Sequence, residues 1–517
     1  MSDCATNNKR IAKNTLFLYG RMLLIMAVAL FTSRVVLNTL GVEDFGIYNV
    51  VGGVVTLFAF LNGALVTSTQ RYLTYELGRN DLNQLKKVFT SSFLIHAIVS
   101  LSIVILAETI GLWFVYNKMV IPEGRFEAAL WVYHLSIITM VIQVMSVPYN
   151  SVIIAYEKMG VFALVSILEA SLKLLIVYLL LVIGGDKLVV YAVLMVTVQL
   201  FIYSIYFVYC KKQYVETKLV KGIDRPLLVE MGKFAGWNVW GNLAATLYST
   251  GLNILLNVFF GPIVNAARGI AVQVESAVTQ FSTNFLMAVN PQITKLYAQD
   301  SFEEMHNLLF RSSKFTCYLL LMISLPVIIE TEVILSVWLS LVPDYAVQFI
   351  RLLLCIAIID SMARPLMTAA AATGDVKKYQ TVIGGILLGI VPISYVVLKL
   401  GGDPVSVYIV YLCVCLIAFF ARLLIVRPMI KLSIKKFVYA VLKPCLLVTV
   451  SSVILSLLVQ RILPNGLFYS IIVCVICVII VISISYMFGL TPNERTFVNK
   501  KVAPLYNRFI RSDKGFR

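Results

Sequence analysis

Six polar residues recur along one apolar stretch of the sequence: Asn238, Asn242, Thr246, Ser249, Asn253 and Asn257. Spacings of 4, 4, 3, 4 and 4 hold them in a single stripe on a helix that turns about 100° per residue. Amides and hydroxyls in such a row can hydrogen-bond a hydroxyl-rich ligand in a hydrated cavity, or can bond neighbouring helices. The next apolar stretch carries Arg268, Glu275, Thr279 and Ser282 at offsets of 0, 7, 11 and 14, again within a narrow sector. Arg21 and Arg34 lie thirteen residues apart in the first apolar stretch. Helix rise puts them roughly 20 Å apart along the axis, and the turn puts them on different faces. A guanidinium offers forked donors that match phosphate. Glu169 and Lys173, and likewise Asp360 and Arg364, stand four residues apart, a spacing at which opposite charges neutralise each other on one helix. A buried structural pair is the favoured reading of both. Glu169, Glu275 and Asp360 are also the acids that could carry a coupling proton or sodium ion.

The elements that hold these residues follow from composition. The chain has 517 residues, 60% hydrophobic and 13% charged, with a mean hydropathy of +0.90. A soluble protein carries about 25% charged residues, so a water-soluble enzyme is excluded and an all-α polytopic membrane protein is expected. About 20 apolar residues cross the hydrocarbon layer as a helix. Fourteen such segments are expected, at 15–38, 45–69, 89–116, 126–153, 161–183, 188–209, 235–260, 267–290, 314–339, 348–373, 380–400, 405–426, 438–459 and 467–489. The connections on one side carry 30 Lys and Arg and those on the other carry six. The positive-inside bias therefore predicts a multi-pass protein with both termini cytoplasmic. The net charge of +17 is accounted for by that topology, so nucleic-acid binding is not expected. The basic connection 210–234 is expected to meet anionic lipid headgroups.

The sequence also repeats. Residues 184–191, GGDKLVVY, match 401–408, GGDPVSVY, at an offset of 217. Leu40-Gly41 matches Phe260-Gly261 at 220, and Phe89-Thr90-Ser91-Ser92 matches Phe310-Arg311-Ser312-Ser313 at 221. The unit is six spans, an even number, so the two copies insert in the same orientation. The expected organisation is a six-helix lobe at 1–209, a basic linker at 210–234, a second six-helix lobe at 235–426, and two further helices with a tail at 427–517. Two parallel bundles suit alternating access to a substrate held between them.

Enzyme chemistry has little support. There is no Walker A loop, and the three His residues at 96, 134 and 306 form no cluster with metal-ligand spacing. No catalytic residue, metal or cofactor is expected. Cys474 and Cys477 lie inside an apolar run and read as packing residues.

The stretch Arg34 to Tyr48, RVVLNTLGVEDFGIY, resembles the start of polysaccharide transporters (Wzx-type lipid-linked oligosaccharide flippases) in the multidrug/oligosaccharidyl-lipid/polysaccharide flippase superfamily. GPIVNAARGIA at 261–271 resembles the corresponding junction of the second half. The resemblance implies two six-helix lobes around a cavity lined by spans one, two, seven and eight. It implies an undecaprenyl-pyrophosphate-linked oligosaccharide, such as an O-antigen repeat unit, moved between leaflets of the bacterial inner membrane. Polysaccharide polymerase machinery is then an expected partner, with membrane lipid. Arg21, Arg34 and Arg268 would contact phosphate or acidic sugar, Asn238, Asn242 and Asn253 would contact glycan, and Glu275 would titrate. A cation-coupled multidrug antiporter of the same superfamily stays open as an alternative, as does, more remotely, a membrane scaffold or glycan-assembly enzyme.

Overall fold

The computed structural model describes residues 2–496, except 57, 58, 120, 221, 340, 341, 465 and 493, together with residue 499. The side chains of residues 2–9 and of many residues between 30 and 60, Arg34 among them, lie outside the described residues. Every regular element among the described residues is helical. The first half holds α1 (Ser2–Thr56), α2 (Ala59–Arg79), α3 (Leu82–Leu106), α4 (Leu112–Lys118), α5 (Phe126–Ala155), α6 (Met159–Val182) and α7 (Lys187–Gln213). After the basic connection come α8 (Arg225–Phe260), α9 (Pro262–Ala298), α10 (Phe302–Ile329), α11 (Thr331–Trp338), α12 (Ala346–Ala372), α13 (Lys377–Leu388), α14 (Ile390–Lys399) and α15 (Pro404–Met429). The chain closes with α16 (Ile434–Phe437), α17 (Lys443–Ile462) and α18 (Leu467–Ile484). Helices are the expected answer to lipid, where each backbone N–H and C=O must find its partner within its own segment.

Twelve of the described helical segments are long and apolar enough to cross a membrane. Two of the fourteen expected segments are not among them. The segment at 45–69 includes residues outside the described set. The segment at 267–290 lies within α9, where Arg268, Glu275 and several amides and hydroxyls dilute the apolar run.

Turns and caps recur at the spacings of the expected repeat. Gly41 and Gly261, Asn80 and Asp300, and Glu157 and Gly374 all adopt positive φ, at offsets of 220, 220 and 217. Asp186 and Asp403, 217 apart, cap α7 and α15 by accepting from backbone amides of Leu188 and Val189 and of Ser406. Such caps satisfy amide groups that a helix start leaves unpaired. Pro148 in α5 and Pro365 in α12 share the same offset.

Packing divides the chain into two compact units. Unit one comprises Met1–Thr250, Thr283–Met305 and Met367–Leu388; unit two comprises Gly251–Ser282, His306–Leu366 and Gly389–Arg517, in each case through their described residues. Four of the five divisions fall inside α8, α9, α10 and α12, and the fifth lies between α13 and α14. At the heart of unit one α5 packs against α2, α3 and α7, and α1 packs against α6. Tyr133, fully buried there, donates its hydroxyl to the Ala107 carbonyl at 2.7 Å. That carbonyl opens a short π-helical turn, Ala107–Gly111, in which the α-helical ladder is interrupted. In unit two α14 packs against α15 and α17 against α18.

Candidate functional site

The polar stripe of α8 changes character along its length. Asn238 is buried, donates to the Phe234 carbonyl at 2.8 Å and accepts from Gln380 at 2.9 Å, within unit one. Thr246 donates to the Asn242 carbonyl at 3.0 Å. A Cβ added to Gly63 would meet the Asn242 amide at 3.1 Å, so α2 approaches α8 closely here. Thr246, Ser249, Asn253 and Asn257 are exposed. Hydrogen bonding between helices therefore describes Asn238, while most of the row presents polar groups outward.

In unit two, Arg268 donates to the Asn253 side-chain carbonyl at 3.3 Å, joining α9 to the stripe. Tyr408 on α15 lies within electrostatic reach of Arg268, and its ring is buried. Among the described residues the Tyr408 hydroxyl has no hydrogen-bond partner. Glu275 is half-buried, near Arg364 and Asp360. Further along α9, Thr279 donates to the Ser276 carbonyl at 3.2 Å, and buried Ser282 donates to the Thr279 carbonyl at 2.9 Å.

The paired acids are as the spacing predicts, with one addition. Glu169 binds Lys173 at 2.6 Å. Asp360 binds Arg364 at 3.6 Å, but a closer partner comes from α15: Arg422 at 2.6 Å, sixty-two residues on in the chain. Arg21 stacks its guanidinium 4.5 Å from the centre of the Phe162 ring, within electrostatic reach of Glu169 and Tyr206. Arg34, expected to bind substrate, lies outside the described side chains. Thus Asn253 and Arg268 come together, Glu275 joins the Asp360 group, and Arg21 stands with Glu169.

Several charged contacts were not legible beforehand. His134 pairs with Glu108 at 3.0 Å, and Arg351 donates to the Ile328 carbonyl at 3.0 Å. At the end of unit one where the basic connections lie, the Glu157 carboxylate is fully buried and ligated by Arg10, Gln292 and Lys295. Its one sequence signal is an acid standing in a short connection of a basic face. At the opposite ends of the helices, Arg125 clamps Asp44 and Asp186, each at 2.5 Å. Burial pushes the Asp186 carboxyl up. The hydrogen bond from Arg125 and the helix-start amides of Val189 and Leu188 outweigh it and hold the carboxyl below its usual range.

Among the described residues no group of three or more His, Cys, Asp or Glu is placed to hold a metal ion. The arrangement is a polar and cationic set on long helices, and the fold is similar to that of solved MATE transporters. A MATE structure in the bent conformation superposes with a TM-score of 0.72 at 14% identity, covering 82% of this chain and 96% of that one. An outward-facing multidrug resistance MATE transporter of the MOP superfamily gives 0.69 at 15% identity, covering 81% and 96%. A MOP superfamily transporter from Pyrococcus furiosus, described as having a binding pocket of reverse polarity, gives 0.67 at 13% identity, covering 81% and 96%. No family model matches the chain, and no curated protein sequence matches it.

Proposed function

We propose that this chain is a flippase that carries a pyrophosphate-linked, lipid-anchored oligosaccharide across the bacterial inner membrane by alternating access. The basic end of the helices is the cytoplasmic end in this reading, as the positive-inside rule requires, and both termini lie there. The two lobes are the six-span repeats, and the fourteen expected spans are all membrane-crossing. The polymerase that extends the glycan is the downstream partner.

Two observations carry the reading. Glu169 and Asp360 each hold a base at 2.6 Å, and Arg268 reaches the Asn253 amide on the exposed part of the polar stripe. Acids engaged in tight pairs are poor sites for a cationic drug, while a guanidinium beside amides and hydroxyls suits a phosphate joined to a sugar. Exposed amides on a membrane helix also favour a water-filled cavity over lipid, because hydrocarbon offers them no partner. Arg21 supplies a second cation, on the first span, and the lipid tail can remain in the bilayer while the head crosses.

A second reading, a cation-coupled multidrug antiporter, is favoured by the MATE likeness and by Glu275, a half-buried acid beside the cavity-type residues. The pocket of reverse polarity in the Pyrococcus furiosus transporter is a reason not to let fold decide the sign of the substrate. Proteoliposomes separate the two. Lipid-linked oligosaccharide should reach the far leaflet with wild type, fall at least about tenfold with Arg268→Ala, and recover partly with Arg268→Lys, since charge returns without the fork. Efflux of a cationic dye, without oligosaccharide translocation and with loss in Glu275→Gln, would establish the antiporter instead.

A further inference from the structure

We propose that unit one is closed at its basic end by two latches related by the internal repeat, and that they open together. The first latch is the turn after α5. Glu157 sits there at φ 58 with its carboxylate fully buried. It accepts from Arg10 of α1 at 2.7 Å, and from Gln292 at 3.0 Å and Lys295 at 2.7 Å, both on α9. Asn14 of α1 donates to the Glu157 backbone carbonyl at 3.0 Å.

The second latch is the turn after α12. Gly374 sits there at φ 85, and Arg71 of α2 donates to the Ala372 carbonyl from both Nε, at 3.3 Å, and Nη2, at 2.9 Å. The guanidinium is further held against the rings of Tyr72 and Tyr75, at 4.4 and 4.6 Å. A Cβ at Gly374 would fall 2.7 Å from Arg71 Nη2, and its φ of 85° is one that side-chain-bearing residues rarely adopt, so glycine is favoured here. Among the described residues no carboxylate lies within ion-pair distance of Arg71.

The two are images of each other under the repeat. Glu157 and Gly374 are 217 residues apart, the offset that relates the helix caps Asp186 and Asp403. Arg71 and Gln292 are 221 apart, the offset of the matching segments that begin at Phe89 and Phe310. In each case a left-handed turn of one repeat receives donors from the second helix of the other. The same two donor helices, α2 and α9, are tied to one another where they cross. Gln299 donates to the Gly78 carbonyl at 3.2 Å, and a Cβ on Gly78 would fall 2.9 Å from both the Ala298 methyl and the Lys295 carbonyl. Residues 78 and 299 are again 221 apart, so positions at the repeat offset meet at the crossing.

Concerted opening follows from that crossing. A movement that withdraws α9 from Glu157 drags α2 with it, and Arg71 leaves its carbonyl. The opening is also reversible. The buried Glu157 carboxylate is satisfied by the half-exposed Arg10 and the partly exposed Lys295 when the latch is shut and is hydrated when it opens, so neither state strands a bare charge. Chemically the latches differ: one is ionic, the other a cation on a neutral carbonyl.

Hydrogen–deuterium exchange of the full chain in lipid nanodiscs tests this without any substrate, so its result is independent of the flippase reading. Glu157→Gln should raise exchange roughly tenfold or more in residues 153–158 and 290–299, and also in 370–376, which Glu157 does not touch. Arg71→Gln should do the reverse, loosening 153–158 as well as its own turn. Exchange around Arg125 reports that the fold is intact and should not change. Loosening confined to the altered side would overturn the coupling, as would no change on either side. Should a charge variant unfold, Gly78→Ala decides the matter: its Cβ would press on the Lys295 backbone and wedge α2 from α9, so exchange should rise at both turns, and a rise at one turn or neither would sink the proposal.

Discussion

Arg422→Met is the sharpest test of which acids are structural. Arg422 is 5% exposed and its Nη1 lies 2.6 Å from Asp360, while Arg364 approaches the same carboxylate only to 3.6 Å. Removing one member of a buried pair typically costs about 3–5 kcal/mol, because the other charge is left without its partner. Two features lower that figure here: Asp360 keeps Arg364, and its side chain is 29% exposed. A loss of about 2–3 kcal/mol is therefore expected, roughly 4–12 °C in Tm for a cooperative unit of about 200 residues. The assay is thermal unfolding in detergent of wild type, Arg422→Met, Asp360→Asn and the double variant. The double variant should be more stable than either single one, by at least about 1 kcal/mol over additivity, because it strands neither charge. Translocation by Asp360→Asn, measured below its unfolding temperature, should persist. Additive effects in the cycle, or a stable Asp360→Asn protein that has lost transport, would refute the structural reading and return Asp360 to the list of coupling acids.

Two further predictions concern unit one. Since the Asp186 carboxyl is held below its ordinary range, its contribution to stability is present above the unfolded carboxylate range and disappears as pH falls through the depressed folded value. Lowering pH from about 5 to about 3 should therefore lower Tm in wild type, and Arg125→Ala should reduce that slope; an unchanged slope in Arg125→Ala would remove the clamp from the account. Tyr133→Phe should cost about 1–2 kcal/mol, because it strips the buried Ala107 carbonyl of its hydroxyl partner. It should also speed exchange in the π-turn 107–111, and a neutral substitution with unchanged exchange would show that the turn does not depend on that bond.

Much of this architecture is local and was legible for that reason. Apolar runs of membrane length make helices because each helix satisfies its own backbone, and Asp186 and Asp403 cap theirs from one turn away. The stripe from Asn238 to Asn257 follows from helical periodicity, and the Glu169–Lys173 contact from a four-residue spacing. The segment at 267–290 shows the limit of hydropathy: it is helical, but its polar load keeps it out of the apolar set. Which polar residue of the stripe is buried was not periodic information. Asn238 is buried by Gln380, from a helix more than a hundred residues later.

The chain by itself thus determined the helical class, twelve apolar runs of membrane length among the described residues, and turn and cap residues recurring at offsets of 217 to 220, all of which depend on composition and short-range spacing. Tertiary structure decided the pairings: Arg422 rather than Arg364 as the near partner of Asp360, Asn253 with Arg268, and Glu157 and Arg71 in repeat-related turns. The physical reason is that a charge in an apolar medium takes whichever partner packing brings within about 3 Å, and sequence separation does not enter that energy.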